Sequence, residues 1–138
     1  MSGRTNYSSG AVWEDLVGYS RAVKVGNLLE VSGTVASDDN GHVVGREDAY
    51  QQTVFILQKI ENVLKEAGAS LQDVVRTRMF VTDISRFEEY ARAHGEVFGT
   101  IKPCTSMLEV KGLVERDYLI EIEVTAVMVP SSKFDVRG

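Results

Sequence analysis

The stretch "YLIEIEVTAVMV", residues 118–129, decides the fold. Read with the two-residue period of a strand, one row is Tyr118, Ile120, Ile122, Val124, Ala126 and Met128, and it is wholly apolar. The other row is Leu119, Glu121, Glu123, Thr125 and Val127, a mixture of acids and apolar side chains. A strand so divided lays one face on helices and leaves the other free of them. Helices must therefore be found elsewhere in the chain, on one side of a sheet.

Two segments supply them. Residues 48–67 carry Tyr50, Val54, Leu57, Ile60, Val63 and Leu64 at helical spacing, with an Asp48/Gln51 capping pair at the start and Gly68 as the stop. The second helix opens at a Ser85/Glu88 capping box, turns Phe87, Tyr90, Ala91, Val97 and Phe98 toward the core, and ends at Gly99. Between and around them lie strands: "SRAVKV" and "LLEVSGTVA" joined by the hairpin signal Gly26-Asn27, a short "HVVG" after the turn at 37–41, then "DVVRTRMFVTD" and "CTSMLEV". The order gives an α+β fold, a mixed sheet with two helices on one face. Residues 1–17 read as an irregular arm docked through Trp13, residues 18–130 as one domain, and residues 131–138 as a tail.

Composition bounds the function. At 138 residues and 43% hydrophobic the chain buries a single core, and its apolar runs are too short to cross a membrane, so a cytoplasmic protein is expected. One cysteine excludes an internal disulfide, and with His42 and His94 far apart it offers no metal-ligand spacing. A net charge of −5 argues against nucleic acid as a partner.

The helix-free face collects Arg76, Arg78, Phe80, Glu30, Ser32, Thr34, Thr105, Met107 and Glu109 with the mixed row of the last strand, while Val75, Thr77, Met79 and Val81 face the helices. So many apolar groups beside charges of both signs point to burial by self-association, with a site between subunits. Cys104 is either a nucleophile or a small buried residue; it shares the core row with Ser106, Leu108 and Val110 and no histidine is near, so burial is the better reading. His94 is placed at the rim and His42 in an exposed turn. Tyr19 is an interface aromatic or a ring over a ligand, and Arg78 is half of an ion pair or an anion clamp. Glu121 is an acid/base group or an arginine's partner, and Glu123 and Glu109 share that ambiguity.

The segments "GYSRAVKVGNLLEVSGTVA" (18–36), "GASLQDVVRTRMFVTDISRFEEY" (68–90) and "PCTSMLEVKGLVERDYLIEIEVTAV" (103–127) resemble the Rid proteins, the YjgF/YER057c/UK114 family. The resemblance implies a chorismate-mutase-like fold, a homotrimer with small-molecule clefts between subunits, and, for the best-known branch, cofactor-free hydrolysis of imines and enamines. It carries Tyr19, Ser32, Gly33, Phe98 and Glu121 over as site residues, with Glu121 orienting water or protonating the leaving amine. Cys104 and Thr105 would offer backbone groups and a hydroxyl. Where that branch has a carboxylate-holding arginine this chain has Thr105, so it resembles the arginine-lacking subgroups. A hydroxyl cannot replace a bidentate cation, and Arg78 or Arg21 is the candidate substitute. A non-catalytic binding or chaperone-like trimer is the alternative, and a ribonuclease or translation inhibitor is disfavoured by the acidic balance.

Overall fold

The computed structural model describes residues 3–129, so the tail at 131–138 and Pro130 lie outside the described residues. One six-stranded sheet has the order β1-β2-β3-β6-β4-β5, where the strands are β1 Arg4–Tyr7, β2 Ala22–Val25, β3 Leu28–Thr34, β4 Val74–Val81, β5 Cys104–Glu109 and β6 Ile120–Val127. Every neighbouring pair is antiparallel except β4 with β5. Helices α2 (Ala49–Glu66) and α3 (Phe87–Phe98) pack side by side on one face, and a short α1 (Val12–Val17) precedes β2. Among the described residues no helix is long and apolar enough to cross a membrane.

The alternation of β6 sets this arrangement. Ile120, Ile122, Val124 and Ala126 are buried against Ile56, Leu57, Ile60 and Leu64 of α2 and against Leu29, Val31, Met79 and Val81 of the flanking strands. Asp48 caps α2 by accepting from the Gln51 amide at 2.9 Å. Gly26, at φ 61°, closes the β2–β3 hairpin as its sequence demands.

Several expectations are corrected. Residues 4–7, read as irregular arm, form an outer strand paired with β2, and α1 follows with Trp13 still 41% exposed. The "HVVG" segment makes only an isolated bridge, Ser37 to Val43. The start of α3 is capped differently: Asp83 accepts from the Ser85 amide and hydroxyl and begins a 3₁₀ turn, Ile84–Arg86, that runs into the helix. That turn rotates the helix so that Ala93 rather than Ala91 is buried and Phe87 is 52% exposed. Tyr50 lies at the helix margin, where its hydroxyl donates to Glu96.

Strand faces shift at two irregularities. In β4 the register against β6 jumps between Val74 and Arg76, so Val75 is the extra residue; it points outward, 45% exposed, and Val74 fills the core. In β3 the register jumps between Val31 and Thr34, which turns Thr34 into the core at 1% exposure. The largest correction concerns β5. Its parallel pairing sets Thr105 beside Thr77 and Met107 beside Met79, on the helix side, and Cys104, Ser106 and Leu108 beside Arg76, Arg78 and Phe80 on the helix-free side. Cys104 is therefore exposed, not buried. Both rows of "CTSMLE" mix polar and apolar side chains, and an edge strand hydrogen-bonded on one side has no second neighbour to fix its faces.

Candidate functional site

A cavity of about 580 Å³ opens where β3 ends and β6 begins. The β3 bulge builds it. With one residue too many opposite Glu123, the chain at Ser32-Gly33 leaves the ladder, and the Gly33 carbonyl accepts from the Arg21 guanidinium at 2.8 Å. The carboxyl of Glu121 lies so close that a Cβ on Gly33 would stand 1.9 Å from its Oε2, nearer than real Cβ contacts come. Glycine at 33 is thus the condition for Glu121 to lie where it does.

Ser32 anchors the approach, since its hydroxyl donates to the Ser20 carbonyl at 2.6 Å and its amide to the Arg21 carbonyl at 3.0 Å. Tyr19, 37% exposed, stands at the entrance with the Arg21 guanidinium 6.0 Å from its ring centre. The Arg21 Nε is buried without a partner among the described residues, so part of its hydrogen-bonding capacity is unspent. Burial holds the Glu121 carboxyl above its ordinary value of 4.5 and the neighbouring Glu123 charge adds to this, with Arg21 opposing. A carboxyl that holds its proton more tightly than usual, beside a cation, is suited to proton transfer.

Lys59 and Tyr118 complete the inner wall, and neither was a sequence candidate. The Lys59 ammonium donates to the carbonyls of Ser37 at 2.9 Å and Val35 at 3.2 Å. Burial, then the Arg21 charge, lowers its pKa. Its signal was its position between Ile56 and Ile60 on α2, at the margin of the apolar stripe, where a lysine stem lies along the core and its head reaches over the edge.

The Endoribonuclease L-PSP family model matches residues 11–128 of this chain, which include every cavity-lining residue but Ser9 and Gly10 and every strand but the first. The chain belongs to this family. It is similar to a structure of a YjgF/YER057c/UK114 family member from Mycobacterium tuberculosis, at 47% identity and TM-score 0.83, covering 91% of this chain and 100% of that one. A RutC family protein of Pyrococcus abyssi is 37% identical across 78% of this chain and 84% of its own length. The 3-aminoacrylate deaminase RutC of Acinetobacter baylyi is 36% identical across 80% and 87%.

Against that family background the remaining candidates fall away from the cavity. Thr105 lies two strands across from Glu121 and three residues along, roughly 14 Å at the usual strand spacing and rise, and on the opposite face of the sheet. Its hydroxyl is 2.8 Å from that of Thr77, which in turn is 2.9 Å from His94 Nε2. His94 is hence half-buried against the sheet instead of at the rim, and burial lowers its pKa, keeping the imidazole neutral. Phe98 is core, 2% exposed, with its ring 4.7 Å from that of His94. Arg78 sits half-buried on the helix-free face opposite Glu123 in register, outside the cavity with Cys104. His42 is exposed, as expected. Glu109 accepts from the Ile84 amide at 2.9 Å, a structural cap on the 3₁₀ turn. Among the described residues no group of His, Cys, Asp and Glu could hold a metal ion.

Proposed function

We propose that this protein is a cofactor-free hydrolase of a small enamine or imine that carries an anionic group. The observation that supports it is the meeting, in one cavity, of the Arg21 guanidinium and a Glu121 carboxyl that burial makes reluctant to ionise. The deaminase relative that acts on 3-aminoacrylate supports the same chemistry. Protonated Glu121 delivers its proton to the enamine carbon and leaves an iminium ion. The resulting carboxylate takes a proton from water as the water oxygen adds to the imine carbon. That proton then passes to nitrogen, the C–N bond breaks as the remaining hydroxyl proton returns to the Glu121 carboxylate, and ammonia leaves while the water oxygen stays as the new carbonyl. The sum is enamine plus water to carbonyl compound plus ammonia, without redox change.

Arg21 takes the role of anion clamp in this reading, because of the two candidates it is the one lining the cavity with Glu121. Tyr19 and Ser32 shape the entrance. The assembly proposed is a homotrimer joined through the helix-free face, with clefts between neighbouring subunits. The test follows the loss of imines produced in situ by an amino-acid oxidase. Wild-type protein is expected to accelerate that loss, and Glu121→Gln to slow it by about 10²-fold or more. A wild-type rate equal to that in buffer sinks the proposal.

A further inference from the structure

The outer wall of the cavity is made by neither the sheet nor the two long helices. It is α1, six residues long, whose Trp13 and Val17 line the cavity beside Val114. Two turns of helix are not stable alone, and most of the apolar surface of α1 is unpacked: Val12 is 73% exposed and Leu16 74%. One buried side chain fastens it. The Glu14 carboxylate, 5% exposed, accepts from the Ser8 hydroxyl at 2.9 Å, from the Ser9 amide at 3.1 Å and from the Ser9 hydroxyl. The Glu14 carbonyl accepts from the amides of Gly18 and Tyr19 at 2.9 and 3.0 Å, and Gly18 turns the chain there with φ 90°. The helix is thereby tied to the turn that follows β1 and, at its C-terminal end, to the segment carrying Tyr19 and Arg21. Held in this way, the helix presents Trp13 and Val17 to the cavity.

What it presents is an aromatic and aliphatic surface in the same cavity that Arg21 and Glu121 line. The geometry points to α1 as a specificity wall: Trp13, with Val17 and Val114, selects enamines and imines of 2-keto acids whose side chain is bulky and apolar, aromatic rings above all, over three-carbon ones. This rests on the hydrolase reading for the reacting nitrogen and on the wall alone for the side chain.

Trp13 is the single tryptophan of the chain, so its own fluorescence reports the contact. We would titrate the whole protein with 3-phenyllactate and with lactate, saturated 2-hydroxy acids whose tetrahedral carbon resembles that of the water adduct, and check the affinities by calorimetry. Phenyllactate is expected to shift the Trp13 emission and to bind at least about tenfold more tightly than lactate, since even one methylene in an apolar pocket is worth that much. Calorimetry on Trp13→Ala should bring the two affinities within about threefold. Trp13→Phe should restore part of the preference. Leu16→Ala, on the same helix but outside the cavity, should keep the wild-type ratio, which separates loss of the wall from loss of the helix. Equal affinities in wild type, or a ratio unchanged in Trp13→Ala, overturn the inference. The same comparison is then made with imines generated from phenylalanine and alanine. A binding preference without any turnover would sink the hydrolase reading and leave the wall standing; turnover indifferent to side-chain size would do the reverse.

Discussion

Gly33 and Glu121 define the cavity at the scale of single residues, the missing side chain of the one leaving room for the carboxyl of the other. A methyl group added at residue 33 meets the end of a flexible side chain and not backbone, so Gly33→Ala should fold with little loss of stability while turning the carboxyl aside. Misplacement by about 1 Å costs on the order of 10²-fold in rate, so kcat should fall by about that factor, while thermal unfolding moves by no more than a few degrees. The Glu121 proton also links folding to pH. The folded protein binds it more tightly than the unfolded chain, whose carboxyl has the ordinary value of 4.5, so this group's contribution to stability falls as pH rises from 4.5 through the raised value. Glu121→Gln removes that loss. Its melting temperature should exceed that of wild type near neutral pH, and the gap should close below pH 4.5. An equal gap at both would mean that the carboxyl is not held in its protonated form by burial.

Among the elements, those with strong periodicity were legible in the sequence and those with weak periodicity were not. The apolar row of β6, the stripe of α2 and the Gly26 hairpin follow from side-chain pattern alone, because each buries one face and a slip of one residue would expose it. The bulges at Ser32-Gly33 and Val75 were not legible, since an extra residue in one strand is detectable only against the strand it pairs with. Of the site, Tyr19, Arg21, Ser32, Gly33 and Glu121 came together as one cluster, whereas Tyr118 and Trp13 joined it through tertiary contacts that no local pattern announces, and Lys59 was marked only by its place at the margin of the α2 stripe. The mistaken faces of β5 belong with the bulges. Their consequence is the chain of hydroxyls from Thr105 through Thr77 to His94, in which Thr77 is fully buried. Thr77→Val keeps the shape but strands the imidazole, and should cost about 1–3 kcal/mol in urea denaturation. His94 bears on the acid side: its folded pKa lies below the ordinary 6.5, so the unfolded chain takes up the proton first and stability falls as pH drops from 6.5 through the lowered value. A His94→Gln variant should lose that acid slope.

For the whole molecule, the helix-free face is the unfinished part. Arg76 and Arg78 are half-buried there with Glu121 and Glu123, and none of the ion pairs among the described residues lies on this face. Leu108 is 49% exposed beside them, and the Arg76 Nε is buried without a partner. Charges left in this condition call for partners from outside the subunit. Light scattering should give the mass of a trimer, and Arg78→Glu, which sets like charges opposite each other at Glu123, should shift the protein toward monomer; a monomeric wild type would contradict the proposed assembly. The claim on which the rest depends is that Glu121 transfers the proton in this cavity. The most direct measurement is the pH profile of kcat/KM for ammonia release from an oxidase-generated imine, wild type against Glu121→Gln. The wild-type rate should fall as pH rises through the raised Glu121 value, and the variant should be about 10²-fold slower or more with that limb gone. A variant with the wild-type rate and the wild-type limb would contradict it.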